Sequence, residues 1–203
     1  MMAMSVVSSE SIEVDTSVRL WTVEEYYHMA EVGILGPDER VELIAGEIYQ
    51  KMSPQGTPHY TTITRTERML RQGLGTRVLL RIQAPVHLND YSEPEPDIAV
   101  VYPDPMDYIE HHPYPDDILL LIEVADKTLK RDCQLKAKEY ASAGIKDYWV
   151  LDVNNRQLYL FREPGQEGYS SQVILSENEE VSPLEFPELK FVVRDLLAPM
   201  ISQ

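Results

Sequence analysis

The sequence predicts an α/β protein, a mixed β-sheet flanked by helices, and three observations carry that prediction. Residues 118–122, Ile-Leu-Leu-Leu-Ile, form an apolar run too short for a typical helix and without alternation, the pattern of a strand buried on both faces. After a polar turn, residues 129–143 carry apolar positions at helical spacing and close on Gly144. A second apolar run then ends at Asp152, which completes a β–α–β unit.

The remaining elements follow in chain order. Residues 1–18 read as a disordered tail, because they lack the basic region and apolar core of a secretory signal. Residues 19–200 are expected to form one domain, since 203 residues with 43% hydrophobic content suffice for a single core. Thr22 and Glu25 form a capping-box pair, Trp21 is placed to staple onto Tyr26, and the helix stops at Gly33. Residues 40–52 hold two strand-like runs broken at Ala45-Gly46, which predicts a hairpin. Its Glu42 either faces solvent or adds a carboxylate to a site. Residues 53–56 are a loop, after which Thr57 caps a helix with Pro58 in its first turn. Ile63, Leu70 and Leu74 share one side of that helix. Arg65 and Arg68 share another and are followed by Arg71, Arg77 and Arg81, a basic stretch that is either a solvated face or one that touches phosphates. His59, near the helix start, either lines a site or is structural.

Residues 77–88 read as a strand bent near Pro85, and residues 97–102 as a strand opened by Asp97. Between 102 and 117 the chain is rich in proline and acid and must be loop. Its adjacent His111 and His112 are expected to be incidental rather than metal-binding. A turn at Asn154-Asn155 leads to a strand over 157–162. Residues 169–203 supply a strand pair and a short closing helix over 193–197.

The net charge is −16, from 18 basic and 34 acidic residues. Such a chain repels polyanions at long range, which counts against a general nucleic-acid binder. No apolar run approaches a membrane span, and the single cysteine, Cys133, excludes an internal disulfide and a cysteine-rich zinc site. These features predict a cytoplasmic protein.

Chemistry concentrates in the β–α–β unit. Glu123 ends the first apolar run, and a carboxylate there must be hydrated, paired or metal-bound, because an isolated buried charge is too costly. On the helix, Leu129, Cys133, Lys136, Tyr140 and Ala143 form one stripe with Lys136 near its centre. The Lys136 ammonium either snorkels to water or reaches back toward Glu123. Asp97 opens one strand and Glu123 ends the next, so the two carboxylates converge if those strands are antiparallel neighbours. Two carboxylates, a backbone carbonyl and waters make a magnesium site. A metal there binds a phosphoryl oxygen and acidifies water, and a nearby ammonium offsets developing negative charge. The set is a minimal kit for metal-dependent phosphodiester hydrolysis.

These residues, taken with Glu42 to Ile48, Ser53-Pro54, His59, the run Ser92 to Asp97, Asp132, Tyr140-Ala141, Ala143-Gly144-Ile145 and Tyr148-Trp149, resemble the Uma-type family of restriction endonucleases. That family lies within the PD-(D/E)XK nuclease superfamily, and the resemblance runs from about Leu20 to Leu197. It implies a restriction-endonuclease-like fold, here with an added N-terminal helix and hairpin. It implies Asp97 and Glu123 as metal ligands, with the Val124 carbonyl as a third. The superfamily's usual lysine would fall at position 125, where this chain has Ala125. In this family the lysine comes from the following helix, at the position of Lys136, with Lys127 a second candidate. The activity implied is that of a Mg²⁺- or Mn²⁺-dependent DNA endonuclease with Asp97, Glu123, Lys136 and Glu42 as its catalytic set, and a homodimer, since cutting both strands takes two sites. A catalytically silent nuclease-fold module and a small-molecule phosphodiesterase are the alternatives.

Overall fold

The computed structural model describes residues 17–51 and 56–200. Residues 1–16 of the expected tail and 53–55 of the expected loop lie outside the described residues. Helix α1 (Val23–Glu31) opens with the reciprocal cap read from the sequence: the Thr22 hydroxyl accepts from the Glu25 N–H at 3.2 Å, and the Glu25 carboxylate accepts from the Thr22 N–H at 3.1 Å. Strands β1 (Val41–Ile44) and β2 (Glu47–Gln50) then pair antiparallel. Ala45 and Gly46 turn between them at φ 51° and 76°, as a tight hairpin turn of the primed type requires. A side chain at Gly46 has no room, because a Cβ there would stand 2.5 Å from the Cβ of Leu20.

Helix α2 (Thr57–Leu74) carries Pro58 in its first turn, as expected. The cap position, however, is Gly56, whose extended backbone starts the helix one residue early. Thr57 is therefore helical and no side-chain cap forms. After α2 come β3 (Leu79–Ile82), β4 (Ile98–Val101) and β5 (Ile118–Ala125). The crossover that follows consists of α3 (Leu129–Arg131), a π-helical segment (Asp132–Lys136) and α4 (Ala137–Ser142). It leads into β6 (Asp147–Asp152), β7 (Gln157–Gly165) and β8 (Gly168–Ser176), and then into the short pair β9 (Glu180–Val181) and β10 (Phe191–Val192) and helix α5 (Val193–Leu196).

Strands β3 to β8 form one sheet in sequence order. Only β5 and β6 are parallel; every other neighbouring pair in that sheet is antiparallel. A parallel pair needs a long crossover, and the helical segment between β5 and β6 supplies it. Side chains alternate across β5. Leu120, Ile122 and Val124 pack with Ile63, Leu70 and Leu196 of α2 and α5, whereas Leu121 and Ala125 pack with Ala137 and Tyr140 of α4. Both faces are covered by helices, which is why β5 reads as a continuous apolar run. Among the described residues no helix is long and apolar enough to cross a membrane.

Further differences from the sequence reading bear on the site. The strand expected over 77–88 stops at Ile82, because Gln83 takes φ 48° and turns the chain out of the sheet. Strand β5 continues two residues past Glu123, because its ladder with β6 extends to Ala125 opposite Asp152. Glu123 thus lies inside a strand and not at its rim. The helix expected over 129–143 is interrupted by the π segment, an insertion that periodicity at 3.6 residues per turn does not anticipate.

Candidate functional site

The register of β4 on β5 brings the two predicted carboxylates together. Ile98 is paired with Ile122, so Asp97, the residue just before β4, falls beside Glu123 and Val124. The Asp97 Oδ2 accepts the Val124 N–H at 2.8 Å. The N–H and C=O of one strand residue leave on the same side, so the Val124 carbonyl also faces Asp97, beyond the end of β4. Gln83 holds Asp97 from behind: its side-chain amide donates to Oδ1 at 3.1 Å and its N–H to the Asp97 carbonyl at 3.0 Å. His59, buried in the first turns of α2, places Nε2 3.4 Å from the same Oδ1. Burial alone would raise the Asp97 pKa, but His59, the Val124 N–H and Gln83 outweigh it and hold the carboxyl below its usual range.

Lys136 does not snorkel. It is 1% exposed, and its Nζ stands 2.8 Å from Glu123 Oε1 and 2.9 Å from Glu42 Oε2. Glu42 is fully buried and faces the site from β1, not solvent. Its Oε2 also accepts the Glu95 N–H at 3.2 Å, while Oε1 lies 3.3 Å from the Arg131 guanidinium and has no hydrogen-bond partner among the described residues. Tyr140 donates to Glu123 Oε1 at 3.0 Å, so both hydrogen bonds to Glu123 fall on one oxygen. Asp132, 2% exposed, adds a fourth buried carboxylate and accepts from the Thr128 hydroxyl.

Four buried acids therefore gather at the site, and three of them, Glu123, Glu42 and Asp132, act on the buried Lys136. Burial pulls the Lys136 pKa down, but Glu123, Glu42 and Asp132 overcome that and push it above the usual lysine value, so the ammonium stays charged. Glu42 is held low: burial opposes ionisation, and Lys136, Lys51 and Arg131 overcome it. Glu123 goes the other way, to about 8, because burial exceeds the pull of Lys136 and Asp97, Asp132 and Glu42 repel a further negative charge. The excess negative charge is offset either by a proton on Glu123 or by a cation.

The donor set fits a small divalent cation. Asp97, the second oxygen of Glu123 and the Val124 carbonyl are hard oxygen donors, and Mg²⁺ is ordinarily held by one or two carboxylates with waters completing the shell. Among the described residues no group of three or more His, Cys, Asp or Glu side chains is disposed to enclose a metal, so a cation here would keep several waters.

Asp97, Glu123, Val124, Lys136 and Glu42 thus converge. Lys127 does not join them and is exposed in the turn after β5, while Ala125 is buried in the core against α4. His111 and His112 line a separate polar cavity with His87, Glu93 and Tyr27. Of the arginine stretch, Arg71 pairs with Glu67 at 2.7 Å and Arg77 with Glu188 at 2.9 Å. Arg65 and Arg68 form no ion pair among the described residues. Asp132 and Tyr140 had no site role in the sequence reading, although each stands four residues from Lys136, the spacing that shares a helix face. Gln83 left no signal in the sequence, since its reach depends on an unusual backbone angle.

A model of the family Uma2, described as "Putative restriction endonuclease", matches residues 23–196. A crystal structure described as a "putative nuclease belonging to DUF820 from Anabaena variabilis ATCC 29413" superposes with a TM-score of 0.63 at 18% sequence identity, covering 86% of this chain and 96% of that one. At that identity the likeness speaks for the fold. No curated protein matches the chain.

Proposed function

Because the chain belongs to the Uma2 family, described as "Putative restriction endonuclease", we propose that it is a divalent-metal-dependent endonuclease that hydrolyses DNA phosphodiesters. The observation that carries this reading is the convergence of Asp97, the residue just before β4, with Glu123 and the Lys136 ammonium 2.8 Å from Glu123. Asp97, Glu123 and the Val124 carbonyl would hold the ion. A divalent cation bound there supplies Lewis acidity toward a phosphoryl oxygen and makes water more acidic.

The chain's own residues do the rest. Lys136, held charged between Glu42 and Glu123, brings a desolvated cation to where negative charge develops on phosphorus oxygens. Glu42 aims that ammonium, and Tyr140 fixes one oxygen of Glu123 so that the other is free to turn to the ion. Gln83 and the Val124 N–H keep Asp97 ionised and oriented. Arg65 and Arg68 on α2, which form no ion pair among the described residues, are the side chains best suited to touch phosphates.

The test is plasmid cleavage with Mg²⁺ or Mn²⁺ by the parent protein, Asp97→Ala and Lys136→Ala. Cleavage by the parent alone supports the reading; equal cleavage by all three marks a contaminant. One observation favours a second reading, a nuclease-fold module without turnover: the Lys136 ammonium is already bonded to two carboxylates. Metal-dependent thermal stabilisation with no cleavage of any nucleic acid would support that reading instead.

A further inference from the structure

Three of the chain's five histidines meet in one cavity of about 300 Å³, lined from α1, from the segment joining β3 to β4 and from the loop joining β4 to β5. None of its lining residues is Asp97, Glu123, Lys136 or Glu42. It holds a buried carboxylate, Glu93, whose side chain is 4% exposed. Buried charges are ordinarily paired. Among the described residues no lysine or arginine pairs with Glu93, and the basic side chains within 4.0 Å of it are His87 and His112. The hydrogen positions follow from the partners. Arg81 can only donate, so His112 Nδ1, 3.2 Å from its guanidinium, accepts. His112 Nε2 then carries the hydrogen and donates to the Tyr27 hydroxyl at 3.1 Å, and Tyr27 donates to Glu93. Burial holds the His112 pKa below its usual value, so that ring adds no positive charge. The Arg81 charge thus stands two side chains away from Glu93, with its guanidinium over the Tyr108 ring.

Two imidazole lone pairs accompany that carboxylate. His87 bonds Glu93 Oε2 through Nδ1 at 3.0 Å, and His111 bonds the His112 carbonyl through Nδ1 at 2.9 Å. A carboxylate and a carbonyl only accept, so each Nδ1 carries a hydrogen and each neutral ring leaves Nε2 as a bare acceptor. Neither Nε2 has a partner among the described residues. Both rings are fixed against Tyr114, His87 edge-on at 5.3 Å and His111 stacked at 4.9 Å. Tyr108 and Ile109 add apolar surface to the lining. Bare acceptors, a buried negative charge without a fixed counter-charge and aromatic faces suit a group that donates hydrogen bonds, carries positive charge and rests on rings. A primary ammonium is such a group, with three donors and no acceptor. A metal ion fits less well, because among the described residues no three His, Cys, Asp or Glu side chains are disposed to enclose one. The volume lies at the small end for ligand cavities. We propose that this cavity binds a small alkylammonium, with its N–H groups on His87 and His111 Nε2, its charge offset by Glu93 and its alkyl stem along Tyr108 and Tyr114. The proposal does not depend on the nuclease reading.

n-Butylamine and putrescine are titrated into the full-length protein in about 150 mM NaCl, which screens diffuse attraction to the acidic surface. Calorimetry gives the affinity, and side-chain ¹⁵N NMR reads the histidine nitrogens. The expected result is saturable binding of both amines with a Kd of about 1 mM or below. The Nε2 signals of His87 and His111 should move, while their Nδ1 signals remain those of the protonated nitrogen. His87→Phe, which keeps a ring and loses the acceptor, and Glu93→Gln should each weaken binding about tenfold or more, as loss of a charge-assisted bond does. Tetramethylammonium, which has the charge but no N–H, should bind about tenfold more weakly than butylamine. Four results would each overturn the proposal. The first is no saturable binding of either amine up to about 10 mM. The second is tetramethylammonium binding as well as butylamine. The third is amine affinity that both variants leave unchanged, which would place the amine elsewhere on the acidic surface. The fourth is a parent spectrum in which saturating amine leaves both Nε2 signals unmoved. That spectrum needs no variant, so it decides the matter even if a variant fails to fold.

Discussion

Lys136 is where stability and chemistry are most easily told apart. Replacing it with Met removes the counter-charge of Glu42 and Glu123, both buried. Breaking a buried pair from one side costs about 3–5 kcal/mol, so the variant should unfold at markedly lower denaturant concentration. Adding Glu42→Gln should recover part of that stability in chemical denaturation, because one orphaned charge is removed, but none of the cleavage. Glu123 makes a pH prediction. Its folded pKa, about 8, lies above its ordinary value of 4.5, so the folded state holds a proton that the unfolded chain has released. Metal-free stability should be greatest in this respect below about pH 4.5 and fall as pH rises through about 8, by at most about 1.4 kcal/mol per pH unit. Asp97 and Glu42, held low, act oppositely and lose their contribution as pH falls through their folded values. Thermal melts across pH should show the decline above 4.5, and Glu123→Gln should flatten it. Metal must displace the same proton, so stabilisation by Mn²⁺ should grow with pH up to about 8.

Among the elements, the β1–β2 hairpin delivers Glu42, and its turn tolerates no side chain at Gly46. Gly46→Ala meets both a positive φ and the Leu20 side chain, and should lower stability by about 1–3 kcal/mol in thermal unfolding. Because β1 carries Glu42, cleavage should fall further than stability alone explains. The elements were unevenly legible in the sequence. The capping box at Thr22, the Ala45-Gly46 hairpin and the β–α–β unit were readable because each rests on local residue chemistry. The π segment was not, because it shifts the helical period by one residue without a local marker, and it brings Asp132 into the buried site. The end of β3 was also hidden, since only the backbone at Gln83 decides it.

At the scale of the molecule, a chain of net charge −16 must meet a polyanion through a small cationic patch. DNA affinity should therefore be weak and steeply dependent on salt, and replacing Arg65 and Arg68 together by Ala should lower the salt slope by about 2 in a fluorescence-anisotropy titration, leaving metal binding intact. The helical stripe put Lys136 on the face toward the sheet, but whether its ammonium reached Glu123 or water stayed open in the sequence. Glu42 stayed open too, because whether β1 turns a carboxylate inward depends on how the hairpin docks on the sheet. That docking is a long-range fact: Leu43 of β1 bridges to Glu93, in the segment between β3 and β4.

Ala125 keeps a strand and a helix close together. The acids ride on strands and the amine rides on a helix, so the gap between them is set by how closely two surfaces rest against each other. Ala125 and Ala137 sit in that seam, with no charge of their own. Wedging the seam open by a methyl group or two, as in Ala125→Val, should loosen the grip of amine on acid from a distance, slowing turnover in a protein that still folds.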